Sequence, residues 1–465
     1  MQLNGYALFF FILNAVALLA LPRRYAPLPL LVGACYITRG QGIDLGGYSF
    51  TVVRMLVAVG VVRLLLRGER LEGGIVGLDW LMVSWSLAAL ASSFFHQDPQ
   101  GALVYRLGLV YDAGGIYLLV RVFCHSLEDL IDLCSLTAIL LVPIALEMLY
   151  EKMTNYNVFS ILGGIPATLY IREGKIRAQG PFAHSILAGT VGAVCLPLMI
   201  GLWKFKRKTG LLGILASLAI VYASASSGPL MSAAAALAAL AAWRYRLHMR
   251  LFRWLLFLGY VALDLIMKDP AYFILARIDL VGGSTGWHRA SLIRSALSHL
   301  NEWWLWGTDY TRHWMPTGVS WSPDHTDITN HYLEMGVLGG LPLMFLFIAS
   351  LVKAFSLVGK TVLKNETLAD AERFMAWALG ASLFAHTTTM VSVSYFDQSF
   401  VFLYLALAAA GSLTPLTLGR ESEKAPVVGF PLEALCKPGP AERPLAVVHF
   451  PGLPVRKDPP SGDTW

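Results

Sequence analysis

A polar stretch late in the chain, residues 268–331, gathers many of the side chains that could carry out chemistry. It holds six of the thirteen tryptophans, five Lys and Arg residues, and five of the eleven histidines, which are His288, His299, His313, His325 and His331. Long apolar segments precede and follow it. A chain that concentrates ionisable groups in one aqueous segment tends to place its function there. We therefore expect the functional site in this stretch.

A group of histidines and a carboxylate lies at the end of the stretch, and it consists of His325, Asp327, Asn330 and His331. A histidine beside a carboxylate is oriented and tuned to act as a general base near neutral pH. The alternative is that these groups only form hydrogen bonds at a membrane interface. With Asp324 they include several possible metal ligands, but their spacing matches no recognised metal motif, and we predict no metal site.

Arginines occur in this stretch and in an earlier polar stretch, residues 150–181. They are Arg172 and Arg177 in the earlier stretch and Arg289 and Arg294 in the later one. The planar guanidinium group donates two parallel hydrogen bonds to phosphate oxygens. The two stretches together predict a site that binds a diphosphate at the level of lipid headgroups. The alternative is that these arginines extend to the membrane interface and contact lipid phosphates.

A tryptophan cluster, Trp303, Trp304 and Trp306, follows a predicted amphipathic helix over residues 286–300. That helix places Ile293, Ala296, Leu297 and Leu300 on one face and is expected to lie at the membrane surface. Indole rings stack on sugar rings, so Trp303 and Trp304 are candidates, with Asn330, for positioning an acceptor. Tryptophan also collects at membrane interfaces regardless of function, and this alternative stays open.

The composition excludes a soluble globular protein, because 56% of the 465 residues are hydrophobic and only 14% are charged. Apolar segments long enough or nearly long enough to cross a bilayer as helices recur along the chain. They are residues 4–21, 27–38, 48–66, 76–94, 102–120, 130–149, 182–202, 210–225, 229–243, 251–267, 332–352, 374–393 and 397–414. Three of these are short. We predict an all-α, polytopic integral membrane bundle of about 11–13 transmembrane helices with a large, partly helical outer loop.

The distribution of charge predicts the orientation. Alternate loops between the thirteen segments carry eighteen Lys and Arg residues, whereas the short loops of the opposite set carry only Arg39. By the positive-inside rule the first set is cytoplasmic. The long loops, 150–181 and 268–331, then face outward. Residues 1–418 form the membrane domain, and residues 419–465, rich in proline and charge, are predicted to be a disordered cytoplasmic tail.

Familiar motifs for cofactors and soluble nucleotides do not occur in the sequence. It has no Walker A loop, no G-x-S-x-G elbow and no H-E-x-x-H. The five cysteines show no paired spacing. We therefore expect no cofactor and no nucleic-acid partner, and the lipid bilayer is the partner that composition predicts.

Two segments resemble a known family. Residues 177–184, RAQGPFAH, are similar to an R-x-x-G-x-F-x-H segment, and a block runs from RASLIRSAL at Arg289 through Trp306-Gly307 to NHYLEMGVLGGLP at 330–342. Both resemble the O-antigen ligase and polymerase superfamily, bacterial membrane glycosyltransferases of the GT-C type. The helix layout, with a large outer loop before the last spans, is also similar.

The resemblance implies a substrate, a location and residue roles. The donor would be a polyprenyl-diphosphate-linked glycan, held on outer-loop arginines that match Arg177 and Arg289. The acceptor would be a glycan or lipid-sugar hydroxyl, activated by a histidine without metal on the periplasmic face of the bacterial inner membrane. In many members a histidine precedes the asparagine of the H-N-x-x-L motif, where this chain has Thr329. The base is then His325, preferred because Asp327 is close, or His331, and the departure favours an exopolysaccharide-associated branch.

Two other functions remain alternatives. A transporter of lipid-linked sugar or exopolysaccharide would carry paired halves, broken helices and polar groups near the bilayer midplane. This chain concentrates its polar groups in two loops instead, which favours the enzyme. A third possible function is a scaffold for a complex that makes polysaccharide. The sequence does not distinguish a ligase from a polymerase.

Overall fold

The computed structural model describes residues 3–424 except residues 47, 170, 278–285, 321 and 365–367, and it describes side chains as far as residue 413. The described residues form sixteen α-helices and three antiparallel hairpins. The helices are α1 (Gly5–Ala20), α2 (Pro27–Tyr36), α3 (Val52–Arg67), α4 (Gly77–Ser92), α5 (Pro99–Phe123), α6 (Leu127–Thr154), α7 (Ser185–Leu202), α8 (Arg207–Ala223), α9 (Ser227–Ala241), α10 (Met249–Ile266), α11 (Ile274–Arg277), α12 (Gly286–Ser298), α13 (Leu300–Trp303), α14 (His331–Lys364), α15 (Asp370–Met390) and α16 (Phe400–Lys424). The hairpins pair β1 (Gly42–Leu45) with β2 (Tyr48–Thr51), β3 (Ile171–Arg172) with β4 (Lys175–Ile176), and β5 (Gly318–Val319) with β6 (Ser322–Thr326).

The helices follow the apolar segments of the sequence. Each of the thirteen predicted segments falls on one helix, and α11, α12 and α13 lie in the long stretch between α10 and α14. Among the described residues, five helices are long and apolar enough to cross a membrane, namely α4 with the turn that follows it, α5, α6, α7 and α14. The predicted all-α class is confirmed, and a count of spans above five stays a prediction.

The predicted C-terminal tail overlaps the last helix, α16. The backbone of α16 continues to Lys424, so the first residues of the predicted tail, 419–424, are helical. The rest of that tail, residues 425–465, lies outside the described residues.

The helix predicted over residues 286–300 is present as α12 and α13, and Ile293, Ala296 and Leu300 of its predicted apolar face pack as expected, whereas Leu297 does not. Leu292 and Ala296 pack with Trp303 and Trp314 in a small apolar core, whereas Leu297 is 51% exposed. The reason is that α12 packs against the aromatic residues of its own loop.

Contacts join the loops at the two ends of the bundle in separate groups. One group links the N-terminus with the loops that follow α2, α4, α6, α8, α10 and α15. Its hydrogen bonds join Asn4 to Leu162, His96 to Asp309, Arg177 to Ser226, and Gln398 to both Ile37 and Pro181. The other group links the intervening loops through Arg23 with Asp129, His125 with Glu72, Lys206 with Asp132, and Arg246 with Asp370. Loops of alternate helices therefore meet at the same end, as they do when successive helices run in opposite directions.

Helix α7 lies inside the bundle, surrounded by α6, α8, α9 and α15. Nearly all of its residues are buried. Small residues allow close helix packing: Gly189 lies against Ser224 and Pro229, and Gly192 lies against the carbonyl group of Ser217. This packing fixes the position of the N-terminus of α7, which becomes part of the candidate site.

Helix α14 is interrupted at Gly339–Gly340, where Gly340 has a φ of +71°. An interruption leaves backbone groups of the helix without their usual partners. Groups from other segments replace those partners. The Thr308 N–H donates to the Val337 carbonyl at 2.9 Å, and Arg106 Nε donates to the Leu338 carbonyl at 3.1 Å. The Leu341 N–H donates to the Trp304 carbonyl at 2.8 Å. The loop that contains Trp304 and Thr308 is thereby docked on the helix break.

Candidate functional site

Three arginines from two distant loops come together in the structure. Arg172 lies on β3, Arg177 follows β4, and Arg289 lies in the first turn of α12. Burial lowers the pKa of Arg289, and the positive charges of Arg177 and Arg172 lower it further, while Asp327 acts in the opposite direction. We call Arg172, Arg177 and Arg289 the arginine cluster. The structure thus brings together three of the four arginines that the sequence predicted to bind a diphosphate.

His184 lies at the same place, immediately before α7. Burial, followed by the charges of all three members of the arginine cluster, lowers the pKa of His184 to about 4. Its Nδ1 accepts a hydrogen bond from the Ile186 N–H at 3.1 Å and caps the helix. The neutral ring therefore carries its proton on Nε2, where it is a hydrogen-bond donor.

This arrangement is suited to an anion with more than one negative charge. Guanidinium groups donate in pairs to phosphate oxygens, and the N-terminus of a helix favours negative charge. Among the described residues, the buried Nε of Arg289 has no hydrogen-bond partner. Buried donors are nearly always paired, so a ligand oxygen at this position would satisfy that group.

Three buried side chains hold the segment between Arg177 and His184 in place. The carboxylate of Glu151, at the end of α6, accepts from the Gln179 N–H at 3.0 Å and the Gly180 N–H at 2.8 Å. Gln398 Nε2 donates to the Pro181 carbonyl at 2.9 Å, and Asp397 Oδ2 accepts from the Ala183 N–H at 2.9 Å. The segment is thus fixed by α6 on one side and by the loop between α15 and α16 on the other.

Asp327 connects the arginine cluster to the start of α14. Partial loss of water raises the pKa of Asp327, His288 and Arg289 lower it, and Glu334 raises it again. Glu334 also accepts a hydrogen bond from His331, with 2.8 Å between its Oε2 and His331 Nδ1. The predicted residues Asp327 and His331 therefore both interact with Glu334.

Asn330 and His331 have clear local roles. Asn330 Oδ1 accepts from the N–H groups of Tyr332 and Leu333, and its Nδ2 donates to the Val391 carbonyl at 3.0 Å. Asn330 therefore caps α14 and ties it to the end of α15. The ring of His331 is buried and packs against Tyr395.

His325 lies on β6, away from the helix start. Its Nδ1 is 2.7 Å from Ser322 Oγ. Burial lowers the pKa of His325, and the charges that oppose this shift are those of Asp324 and Asp309. The charges that act on Asp327 are instead those of His288, Arg289 and Glu334. Asp327 therefore belongs with the arginine cluster, and His325 does not.

The remaining predicted residues lie in other surroundings. Arg294 is exposed, pairs with Asp269 at 2.6 Å and lies over the ring of Phe273. Trp303 is 2% exposed, and its Nε1 donates to the Ala296 carbonyl at 2.8 Å. Trp304 is 51% exposed. Of these two tryptophans, Trp304 is the one that presents a surface to a ligand.

Sequence reasoning gave no role to His184, Glu151, Asp397 or Glu334. His184 ends the R-x-x-G-x-F-x-H segment and stands directly before an apolar helix, which is a signal for a helix cap. Asp397 is an acidic residue at the first position of the predicted segment 397–414, and the structure places it in the loop between α15 and α16. Nothing local indicates that Glu151 binds backbone groups 28 and 29 residues away.

No family model matches the chain, and no curated protein matches it at significant similarity. The function must therefore be argued from the residues and their geometry.

Proposed function

We propose that the protein is a membrane glycosyltransferase of the O-antigen ligase and polymerase type. It transfers a glycan from a polyprenyl-diphosphate carrier to a hydroxyl group of a glycan or lipid-sugar acceptor. The observation that carries the proposal is the convergence of Arg172, Arg177 and Arg289 beside the neutral His184 and the N-terminus of α7. This is an environment for a diphosphate at the edge of a helical bundle.

The reaction is a displacement at the anomeric carbon. The acceptor oxygen forms a bond to that carbon as the bond to the diphosphate oxygen breaks, with inversion, and the leaving polyprenyl diphosphate keeps the electron pair. The arginine cluster and His184 Nε2–H stabilise the charge that develops on the leaving group. Loss of one such donor costs about a hundredfold or more in rate.

The acceptor proton needs a base. Of the predicted candidates His325, His331 and Asp327, Asp327 is the one that acts electrostatically on Arg289. A raised pKa suits a carboxylate for proton transfer near neutral pH. We assign this role to Asp327, with the pair His331–Glu334 beside it. General base catalysis contributes about a hundredfold to ten-thousandfold.

The proposal includes a location. About 11–13 of the helices that match the predicted segments cross the bacterial inner membrane, the arginine cluster faces the periplasm and the C-terminus is cytoplasmic. The grouping of alternate loops at the two ends of the bundle supports this topology. The lipid tail of the donor lies between helices.

One observation favours the transporter alternative. Helix α14 is broken at Gly339–Gly340, and transporters often build substrate sites from broken helices. In this chain, however, the carbonyl groups at the break are occupied by the Thr308 N–H and by Arg106. Because the protein fills its own helix break, this feature gives less support to transport than the arginine cluster gives to transfer.

The test is transfer by purified protein in lipid, with polyprenyl-diphosphate glycan, candidate acceptors and EDTA. We expect Arg289→Ala to lower the rate about a hundredfold or more and Asp327→Asn to lower it by about a hundredfold to ten-thousandfold. The His325→Ala and His331→Gln variants are measured in the same transfer assay. The size of the product distinguishes single ligation from polymerisation.

Arg294→Ala is the matched control, because Arg294 lies on the same helix but pairs with Asp269 at the surface. We expect it to retain most of the activity. If either histidine variant is inactive while Asp327→Asn is active, the base has been assigned to the wrong residue. Binding of the donor without any transfer would replace the enzyme proposal with the transporter.

A further inference from the structure

A second group of ionisable side chains lies in the long loop, at His299, Glu302 and His313. One ligand-type atom of each residue lies within 4.8 Å of the others. His299 and Glu302 are adjacent on one face of the α12–α13 segment, and His313 belongs to the short turn Arg312–Trp314. None of the three is among the charges that act on His184, Arg289 or Asp327. The group is therefore separate from the arginine cluster.

Hydrogen bonds with neighbouring groups orient two of these side chains, those of His299 and Glu302. The Nδ1–H of His299 donates to the Ser295 carbonyl at 2.8 Å, which leaves the lone pair of its Nε2 available. Trp314 Nε1 donates to Glu302 Oε2 at 3.1 Å. A backbone acceptor behind a histidine and a donor behind a carboxylate are the outer-shell partners that metal ligands usually have.

The distances and charges also suit a metal ion. His313 Nε2 lies 3.0 Å from Glu302 Oε2, and two ligands at about 2.1 Å from a tetrahedral ion are about 3.4 Å apart. Glu302 also accepts the hydrogen bond from Trp314 through the same Oε2 atom, which fixes the position of that oxygen beside the His313 ring. His313 and Glu302 are about one-third exposed, which leaves room for small movements of these side chains and for water.

A simple ion pair between Glu302 and His313 accounts for only part of this arrangement. It does not account for His299, whose ring lies edge-to-face with that of His313 at 4.8 Å between centroids. Two imidazole groups at this separation can both bind one metal ion.

We propose that His299, Glu302 and His313 bind one divalent transition-metal ion of the Zn²⁺ class. Two imidazoles and one carboxylate are ligands that Zn²⁺ accepts, and water completes the coordination. The ion would connect α13 to the turn Arg312–Trp314. It would thereby close the loop between them, which docks on the break of α14 through Trp304 and Thr308. The site stabilises the loop and takes no part in the proposed transfer chemistry.

The test uses the full-length chain without an affinity tag, in lipid nanodiscs and stripped with a chelator. Zn²⁺ is titrated against a chromophoric competitor, and Co²⁺ serves as a second probe because its visible absorption reports coordination. We expect one tight site in the wild type. His299→Ala and His313→Ala should each weaken Zn²⁺ binding at least about tenfold, and Zn²⁺ should raise the Tm of the wild type more than that of either variant.

His248→Ala is the control, since His248 is an exposed histidine in the turn between α9 and α10. It should bind Zn²⁺ as tightly as the wild type. Glu302→Gln keeps the shape but removes the charge, and it should also weaken binding. Equal affinity in the wild type and in His299→Ala/His313→Ala would overturn the proposal.

The readout is independent of the proposed glycosyl transfer, because no donor is present. Failure to bind Zn²⁺ would leave the transferase proposal standing. Failure of the transfer assay would leave the metal site standing, and active enzyme in EDTA agrees with both.

Discussion

Three guanidinium groups lie near one histidine, and their like charges oppose one another. Arg172, Arg177 and Arg289 each disfavour the protonation of His184, and Arg172 and Arg177 disfavour the charge of Arg289. Buried side chains such as Glu151 and Asp397 hold this arrangement in place by binding backbone N–H groups. For the proposed transfer, a site held in place before the donor binds is what electrostatic stabilisation requires.

His184 gives a prediction about pH. Its pKa is about 4 in the folded protein and about 6.5 when unfolded. Between these values the unfolded chain binds more protons, so this residue lowers the free energy of unfolding as the pH falls from about 6.5 to about 4. His184→Asn keeps a side chain that can cap α7 but does not titrate.

The measurement is the Tm of both proteins in nanodiscs at pH 7.5 and pH 5, without donor. We expect the wild type to lose more Tm than His184→Asn on acidification. A difference between the two proteins that stays constant with pH would show that burial and the arginine cluster do not lower the pKa of His184.

At the scale of elements, the break in α14 and the loop that fills it form one unit. Gly340 has a φ of +71°, and a Cβ atom there would collide with the backbone of Leu305. The same unit contains the Thr308 N–H and Arg106 bonds to the helix. The glycine pair therefore has a structural cause, which is close approach between two backbones.

We predict that Gly340→Ala destabilises the protein, because an unfavourable φ costs about 1–3 kcal/mol and the collision adds to this. Gly359→Ala is the control in the same helix. A Cβ atom at Gly359 would have no atom within 4 Å, and alanine should stabilise the helix by about 0.5–1 kcal/mol. Thermal unfolding of both variants in detergent is the measurement, and equal Tm values would contradict the packed break.

For the whole molecule, the grouping of loops at two ends predicts which residues a reagent can reach from each side. Lys175 and Lys208 are both exposed; Lys175 lies in the loop between α6 and α7, and Lys208 lies in the first turn of α8, beside the loop that follows α7. The native cysteines Cys35, Cys124, Cys134 and Cys195 are buried and should give little background. Cys436, outside the described residues, is replaced by serine in both variants.

We expect Lys175→Cys to react with a membrane-impermeant maleimide in right-side-out vesicles. Lys208→Cys should react only after the membrane is permeabilised, since its loop is rich in Lys and Arg and belongs inside. Labelling of both residues from the same side would contradict the proposed topology. Unfolded protein is excluded by the size-exclusion profile of each variant.

The sequence alone determined the helices and their alternation. Apolar segments must become helices in a bilayer because each backbone group needs a partner within its own segment, and this requirement is local. The placement of Lys and Arg in alternate loops is likewise visible along the chain. Arg177 and Arg289 were also candidates from local signals, namely basic residues in two polar loops.

Only the tertiary structure decided which of these residues meet. It brought Arg172 and Arg177 to Arg289, more than 100 residues later in the chain, and left Arg294 paired with Asp269. It also joined His299 and Glu302 to His313 across a docked loop. These contacts depend on how α6, α7, α12 and α14 pack, and packing is set by shape complementarity between distant segments, which spacing along a sequence does not encode.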